Sequence, residues 1–377
     1  MKDADYAPIG PNSAAGTPDK HFDTVLYTGT SMVASNDPAA SSRRIGGLNF
    51  QPDLVLIKNR GTTDGWVLQD SVRGFEYGTK LSPYDSSKEN DGTGGSDGDY
   101  GFVSGVFDGG FEICPGTSPG QVDKDTSNNF VAFSWKAGNE TTINNDGTLQ
   151  STVSVNRDAG FSIVSWNGSG TGTQTIGHGL SNTPEFIITK NRDNTYNWAC
   201  FHKDLGADGY INLDQNNAWT SNAGFFNDLP TSTVFTAGSH SYQNGTDQLI
   251  AYCWHSVEGY SKFGNYVGNG DTSGTADTRD GAFIYLGFKP AFFIMKGNEA
   301  SARWLVFDNK RDPDNPVIAD LNLHATDAEN TGTENAMDFL SNGIKMKYTS
   351  DNNINKSGVT YIYMAIAEMP FKYANAR

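Results

Sequence analysis

Apolar residues fall along the chain in short runs and two-residue alternations. The segment Pro52-Asp-Leu-Val-Leu-Ile-Lys58 is apolar at most positions between its ends, which predicts a strand covered on both faces. Proline opens it, where a missing backbone donor does least harm. The polar, glycine-bearing stretch Asn59-Arg-Gly-Thr-Thr-Asp-Gly65 then predicts a hairpin loop. Beyond it the pattern alternates, so Trp66, Leu68 and Asp70 share one side of a second strand. A later run, Phe130-Val-Ala-Phe-Ser-Trp135, is again apolar on both faces, with Val131, Phe133 and Trp135 opposite Phe130, Ala132 and Ser134. No convincing helical period interrupts this series.

The pattern is written three times. Pro52 to Lys58 returns as Pro184-Glu-Phe-Ile-Ile-Thr-Lys190 and as Pro290-Ala-Phe-Phe-Ile-Met-Lys296. A tryptophan follows each lysine at one fixed distance, as Trp66, Trp198 and Trp304, and four residues on stands Asp70, His202 or Asp308. An aromatic-x-Gly opens each unit (Tyr27-Thr-Gly29, Trp166-Asn-Gly168, Tyr266-Val-Gly268), and Phe130–Trp135, Leu249–Trp254 and Tyr361–Ile366 close them. The fold class expected is therefore all-β, with three tandem antiparallel β-sandwich repeats of the jelly-roll or lectin-like kind. Their boundaries fall at residues 21–145, 146–260 and 261–377, each long enough for its own core. Trp66, Trp198 and Trp304 are the expected core anchors, since one buried indole covers roughly 150 to 250 Å². Residues 1–20 have three prolines and little apolar area, and are expected to form an extended N-terminal arm.

Composition narrows the partners. The 43 glycines and 12% aromatic content suit a turn-rich β protein and leave no room for a coiled coil. With 27 basic and 43 acidic residues the net charge is -16, which repels a phosphate backbone and excludes nucleic acid as the expected partner. Cys114, Cys200 and Cys253 are too few for a disulfide framework and are expected to be reduced, buried hydrophobes. No apolar run of about 18 residues and no signal-like start is present, so neither membrane insertion nor secretion is expected.

Candidate chemistry is sparse. Nucleophile-elbow, phosphate-loop, His-Glu-x-x-His and Cys-x-x-Cys motifs are absent. His21, His178, His202, His240, His255 and His324 have no metal-ligand spacing. No catalytic residue, cofactor or metal is therefore assigned. Two oxygen-rich stretches, Ser86 to Asp99 and Asp271 to Asp280, invite a calcium reading, but turn chemistry alone explains their Asp, Asn and Gly content. Tyr196 and Trp219 lie in polar loops and are the candidates for stacking against a glycan; the alternative is that they pack over a sandwich edge or a subunit contact.

Longer wording in the repeats carries a resemblance. Phe22-Asp-Thr-Val-Leu-Tyr-Thr-Gly29, Gly47-Leu-Asn-Phe-Gln-Pro-Asp-Leu-Val-Leu-Ile-Lys-Asn-Arg60, Trp66-Val-Leu-Gln-Asp-Ser-Val-Arg-Gly74, Val257-Glu-Gly-Tyr-Ser-Lys-Phe-Gly264, Asp338-Phe-Leu-Ser-Asn-Gly-Ile-Lys345 and the terminus from Tyr361 to Arg377 resemble a repeat region of tailed-bacteriophage fibre and virion structural proteins of marine and cyanobacterial phages. The resemblance spans about residue 20 to the end. It implies a non-enzymatic tail fibre or surface fibre, assembled in the host cytoplasm and carried on the virion surface. Attachment to host polysaccharide, homotrimer formation and docking to other virion proteins through the N-terminal arm follow as expectations. The alternatives are a capsid-surface fibre or decoration protein without a specific receptor and, third, a tailspike that cleaves glycans with paired carboxylates. The resemblance brings no catalytic residues.

Overall fold

The computed structural model describes residue 9 and residues 15–89, 98–271, 280–299, 301–347 and 353–368. Antiparallel strands carry the fold, and among the described residues helix is confined to the short turns Pro18–Lys20, Ser241–Asn244 and Thr333–Asn335. The protein is an all-β sandwich structure.

Three inner sheets share one strand order. In the first, Phe22–Thr28, Asn129–Trp135, Leu54–Asn59 and Val67–Asp70 lie side by side. Phe161–Asn167, Gln248–Trp254, Phe186–Asn191 and Ala199–His202 repeat that order within an eight-stranded sheet, and Ser261–Val267, Thr360–Ala367, Pro290–Gly297 and Trp304–Asp308 repeat it within a five-stranded one. Register is kept as well: Trp135 pairs with both Phe22 and Leu54, and Trp254 pairs with both Phe161 and Phe186. Thr142–Asn144, N-terminal to the boundary expected at residue 146, pairs with Ser151–Asn156 and so extends the second sheet.

Each inner sheet has an outer partner. These are Arg43–Gly46, Gly110–Cys114 and Phe102–Phe107 in the first repeat, Gln174–Gly177 with Val234–Ala237 in the second, and Phe283–Tyr285, Gly343–Met346 and Met337–Leu340 in the third. Strand alternation sends Val25, Tyr27, Val55, Ile57, Phe130 and Ala132 of the first inner sheet toward Ile45, Phe111 and Ile113 of its outer sheet. Equivalent outer cores fill the second and third repeats.

The other faces meet one another. Leu54, Leu56, Trp66, Phe133 and Trp135 pack in a single cluster with Phe186, Trp198, Tyr252 and Trp254 of the second repeat and Phe292, Trp304, Ile362 and Met364 of the third. Ring contacts cross all three seams: Trp135 to Trp254 at 6.5 Å between centroids, Phe186 to Trp304 at 6.2 Å, and Phe22 to Phe292 at 5.1 Å. The repeats are therefore not a string of self-contained sandwiches but three sandwiches joined through one central core. The cause lies in the strands themselves. An outer sheet covers one face of an inner sheet, and the second apolar face stays unburied until the other two repeats close on it.

The closure is cyclic. Trp198 Nε1 donates to Ser82 O of the first repeat at 2.9 Å, Trp304 Nε1 to Asn212 O of the second at 2.7 Å, and Trp66 Nε1 to Asn322 O of the third at 2.9 Å. A backbone bond crosses each of the same seams with donor and acceptor repeats exchanged, from Glu89 N to Arg192 O, Trp219 N to Asn298 O and Glu329 N to Arg60 O, at 2.9, 3.2 and 2.8 Å. Each seam is thus bonded from both sides, and the last repeat is joined to the first as the others are to their neighbours.

Of residues 1–20, only Ile9 and residues 15–20 are among the described residues. Ile9 is buried within the central core, Ala15 packs against it, and His21 Nε2 lies 2.9 Å from Ala15 O. All three cysteines are free and buried.

Candidate functional site

The three strand-end lysines, which the sequence reading left without a role, hold the loops that lead to the tryptophans. Lys58 Nζ donates to the carbonyls of Asn59, Thr62 and Asp64 at 2.7, 3.0 and 2.8 Å. Three acceptors match the three N–H groups of an ammonium. Lys190 reaches Ser86 O and Tyr196 O, and Lys296 reaches Asn217 O and Gly297 O, so these two also clip the preceding repeat. Burial pushes Lys58 down to about 8 and Lys296 to about 7, while the surrounding carbonyls favour the charged form. Trp66, Trp198 and Trp304 are 0%, 0% and 1% exposed.

Buried charges line two of the seams. Arg73 pairs with Asp70 at 2.6 Å and Glu89 at 3.0 Å, Glu89 pairs with Arg192, and Tyr252 of the second repeat donates to Asp70 at 2.7 Å. Arg311 pairs with Asp308, and Glu329 bridges Arg311 and Arg60 at 2.8 and 2.7 Å. The seam between the second and third repeats has His202, Leu205, Trp219 and Asn298 at the corresponding places and lacks this bridge. Burial lowers the His202 pKa and favours the neutral ring. These groups are enclosed in the seams, and their geometry serves cohesion.

The two glycan candidates come to lie apart. Tyr196 is stacked on Tyr242 at 4.3 Å, and Tyr242 meets Phe225, which stacks on Tyr210. One face of the Tyr196 ring is therefore taken by its own repeat. Trp219 lies over Gly209, its Cζ2 2.6 Å from where a Cβ would stand, and its backbone is bonded to the third repeat. Pairing of Tyr210 with Thr220 puts Trp219 opposite Ile211, on the sheet face that looks to the central core, whereas Tyr210 packs on the outer core. No single surface brings Tyr196 and Trp219 together.

The outer sheets are where the repeats differ in what they show to solvent. Along the strand Phe283–Tyr285, Ile284 enters the third outer core while Phe283 and Tyr285 are 47% and 61% exposed. Phe283 pairs with Lys345, and Tyr285 with Gly343. The tip of the Phe283 ring reaches to 3.2 Å from where a Cβ on Gly343 would stand, so the ring lies over that glycine. Lys262 Nζ stands 5.3 Å from the Tyr285 ring centroid and donates to Tyr285 O at 2.7 Å. Lys345 pairs with Asp280, and Lys347 with Asp338. The sequence signal was an outward alternation in Phe283-Ile284-Tyr285, in a strand short enough to escape notice beside long glycine- and aspartate-rich turns.

The first repeat builds the same surface and closes it. Arg44 and Gly46 stand where the third repeat has Phe283 and Tyr285, and Gly110 and Glu112 where it has Gly343 and Lys345. Here too a ring covers the glycine, with Phe107 Cζ 2.7 Å from a Cβ placed on Gly110, but the Arg44 guanidinium lies over that ring at 4.3 Å and pairs with Glu112 at 3.6 Å. In the second repeat the paired positions are Thr175 and Gly177, without aromatics.

The oxygen-rich stretches lie partly outside the described residues, at 90–97 and 272–279. Among the described residues no three His, Cys, Asp or Glu side chains gather as a metal site, and no helix is long and apolar enough to cross a membrane. Comparisons with curated proteins and with solved structures give no match. The model of the DUF7483 family, a domain of unknown function, matches residues 17–370 and so takes in all three sandwiches as one unit; the chain belongs to that family.

Proposed function

We propose that this protein is a non-enzymatic structural and attachment component of a bacteriophage virion, a tail fibre or surface fibre whose outer faces meet host polysaccharide. The repeat wording that resembles phage fibre proteins supports this reading, and the outward aromatic pair Phe283 and Tyr285 carries the attachment part of it. Exposed aromatic side chains on a rigid sheet are suited to recognition, because the scaffold has already met the ordering cost of its strands. Where the resemblance implies a homotrimer, the threefold repetition described above lies within a single chain, and the mass of the particle-borne assembly decides whether chains also associate. Docking to other virion proteins belongs to the same proposal, through whatever part of residues 1–20 is not folded against the core.

Imaging of the particle with antibody against this chain tests the reading, together with competition of phage adsorption by the purified protein. Label on projecting fibres and inhibited adsorption are the expected results. Label on the capsid shell with no inhibition favours the decoration protein, and release of reducing sugar ends from capsule favours the glycan-cleaving tailspike.

A further inference from the structure

The two aromatic faces of the outer sheets differ in one respect. In the first repeat the ring over the glycine is capped by a guanidinium from its own sheet; in the third, no cation lies over the Phe283 ring among the described residues. A π face carries partial negative charge and attracts flat groups with positive edges, whether guanidinium or the C–H face of a sugar ring. Phe283 and Tyr285, two residues apart on one strand, set their side chains about 7 Å apart on the same surface. Around them Lys262, Lys345 and Lys347 balance Asp271, Asp280 and Asp338, a locally neutral patch in a chain whose net charge is -16. A polyanion repelled by the body as a whole meets its least repulsion at such a patch, where Lys262 makes no ion pair among the described residues.

We propose that the outer sheet of the third repeat binds an acidic saccharide chain, with pyranose faces stacked on Phe283 and Tyr285 and carboxylates facing Lys262 and Lys345. This deepens the attachment reading by naming its site and ligand class, and rests on that reading for its biological setting.

The test uses the full chain and calorimetric titration with a uronate hexasaccharide from alginate, with maltohexaose as the neutral probe. Binding of the uronate probe is expected, weakened by raised salt. Phe283→Ala and Tyr285→Ala should each reduce affinity by about tenfold or more, as for a central anchor, with Phe283→Trp retaining it and Tyr196→Ala leaving it unchanged. The melting temperature of each variant, expected to stay near that of the parent because both rings are exposed, separates loss of the site from loss of fold. Three results overturn the proposal: no binding of either probe at millimolar sugar, equal and salt-independent binding of maltohexaose, or uronate binding that survives both alanine substitutions. None of these touches the attachment reading, which fails instead when particle imaging places the chain away from the virion exterior.

Discussion

Trp66, Trp198 and Trp304 each join two duties, filling the central core and donating across a seam to a backbone carbonyl. Replacement of Trp198 by alanine removes both, and is expected to cost about 3 to 5 kcal/mol in urea unfolding. Trp198→Phe keeps most of the volume but leaves Ser82 O without its donor, at a cost of about 1 to 3 kcal/mol. Two residues beyond the three acceptor carbonyls stand Tyr84, Asp214 and His324, and the last two give stability opposite dependences on pH. Burial lowers His324 to about 4, and its Nδ1 accepts from Trp304 N. Its folded value lies below the ordinary 6.5, so the stability it contributes is complete above 6.5 and is lost as pH falls toward 4. Burial raises Asp214 to about 7, above the ordinary 3.8, so its contribution is complete below 3.8 and is lost as pH rises through 7. Asp214→Asn should therefore raise the urea midpoint at pH 8 more than at pH 5, while His324→Asn should flatten the decline between pH 6.5 and 4. A pH series of unfolding midpoints for both variants checks the two signs.

At the scale of elements, much was legible. The Pro-to-Lys strands, their tryptophan partners and the closing strands could be read because each repeats a local alternation, and alternation decides which face a side chain takes. The both-faces-apolar character of Leu54–Asn59 and Asn129–Trp135 even contained the need for a second cover. What supplies that cover was hidden, since the acceptors Ser82, Asn212 and Asn322 are backbone carbonyls that leave no mark in side-chain chemistry. Trp219 was hard to place for a related reason. Its polar neighbours suggest an exposed loop, but its place in the seam is set by a main-chain bond to Asn298. Phe283 and Tyr285 were visible in principle and were passed over because three residues make a weak periodic signal. The seams also differ in strength. Burial opposes the charge on Glu329, yet Arg60 and Arg311 hold its carboxyl below the usual range. Glu329→Gln should cost about 3 kcal/mol at pH 7, by leaving the enclosed Arg311 with one carboxylate fewer. The difference from the parent should shrink only in acid beyond the ordinary carboxylate range, once Glu329 is protonated in the fold as well, and guanidinium melts at pH 7 and across that range check this.

For the whole molecule, the shared core makes the ring one cooperative object. A chain of residues 21–145 alone would expose Phe22, Leu54, Leu56, Trp66, Phe133 and Trp135 on one sheet face, far more apolar surface than a soluble monomer carries. It should therefore be recovered as an oligomer or an aggregate, whereas the full chain should melt in one transition with matching calorimetric and van't Hoff enthalpies. Light scattering on the fragment and scanning calorimetry on the full chain check the two halves of this statement; a monomeric, well-folded fragment would contradict it. Closure within one polypeptide also changes what a single codon can do. In an assembly of three identical subunits every substitution is made in triplicate, so a change that suits a ligand on one side is imposed on the other two. Here Arg44 and Phe283 occupy matching places but answer to separate codons. One side of the ring can be remodelled for a new target while its two siblings go on holding the scaffold together, at the expense of presenting that target with one copy of the surface in place of three.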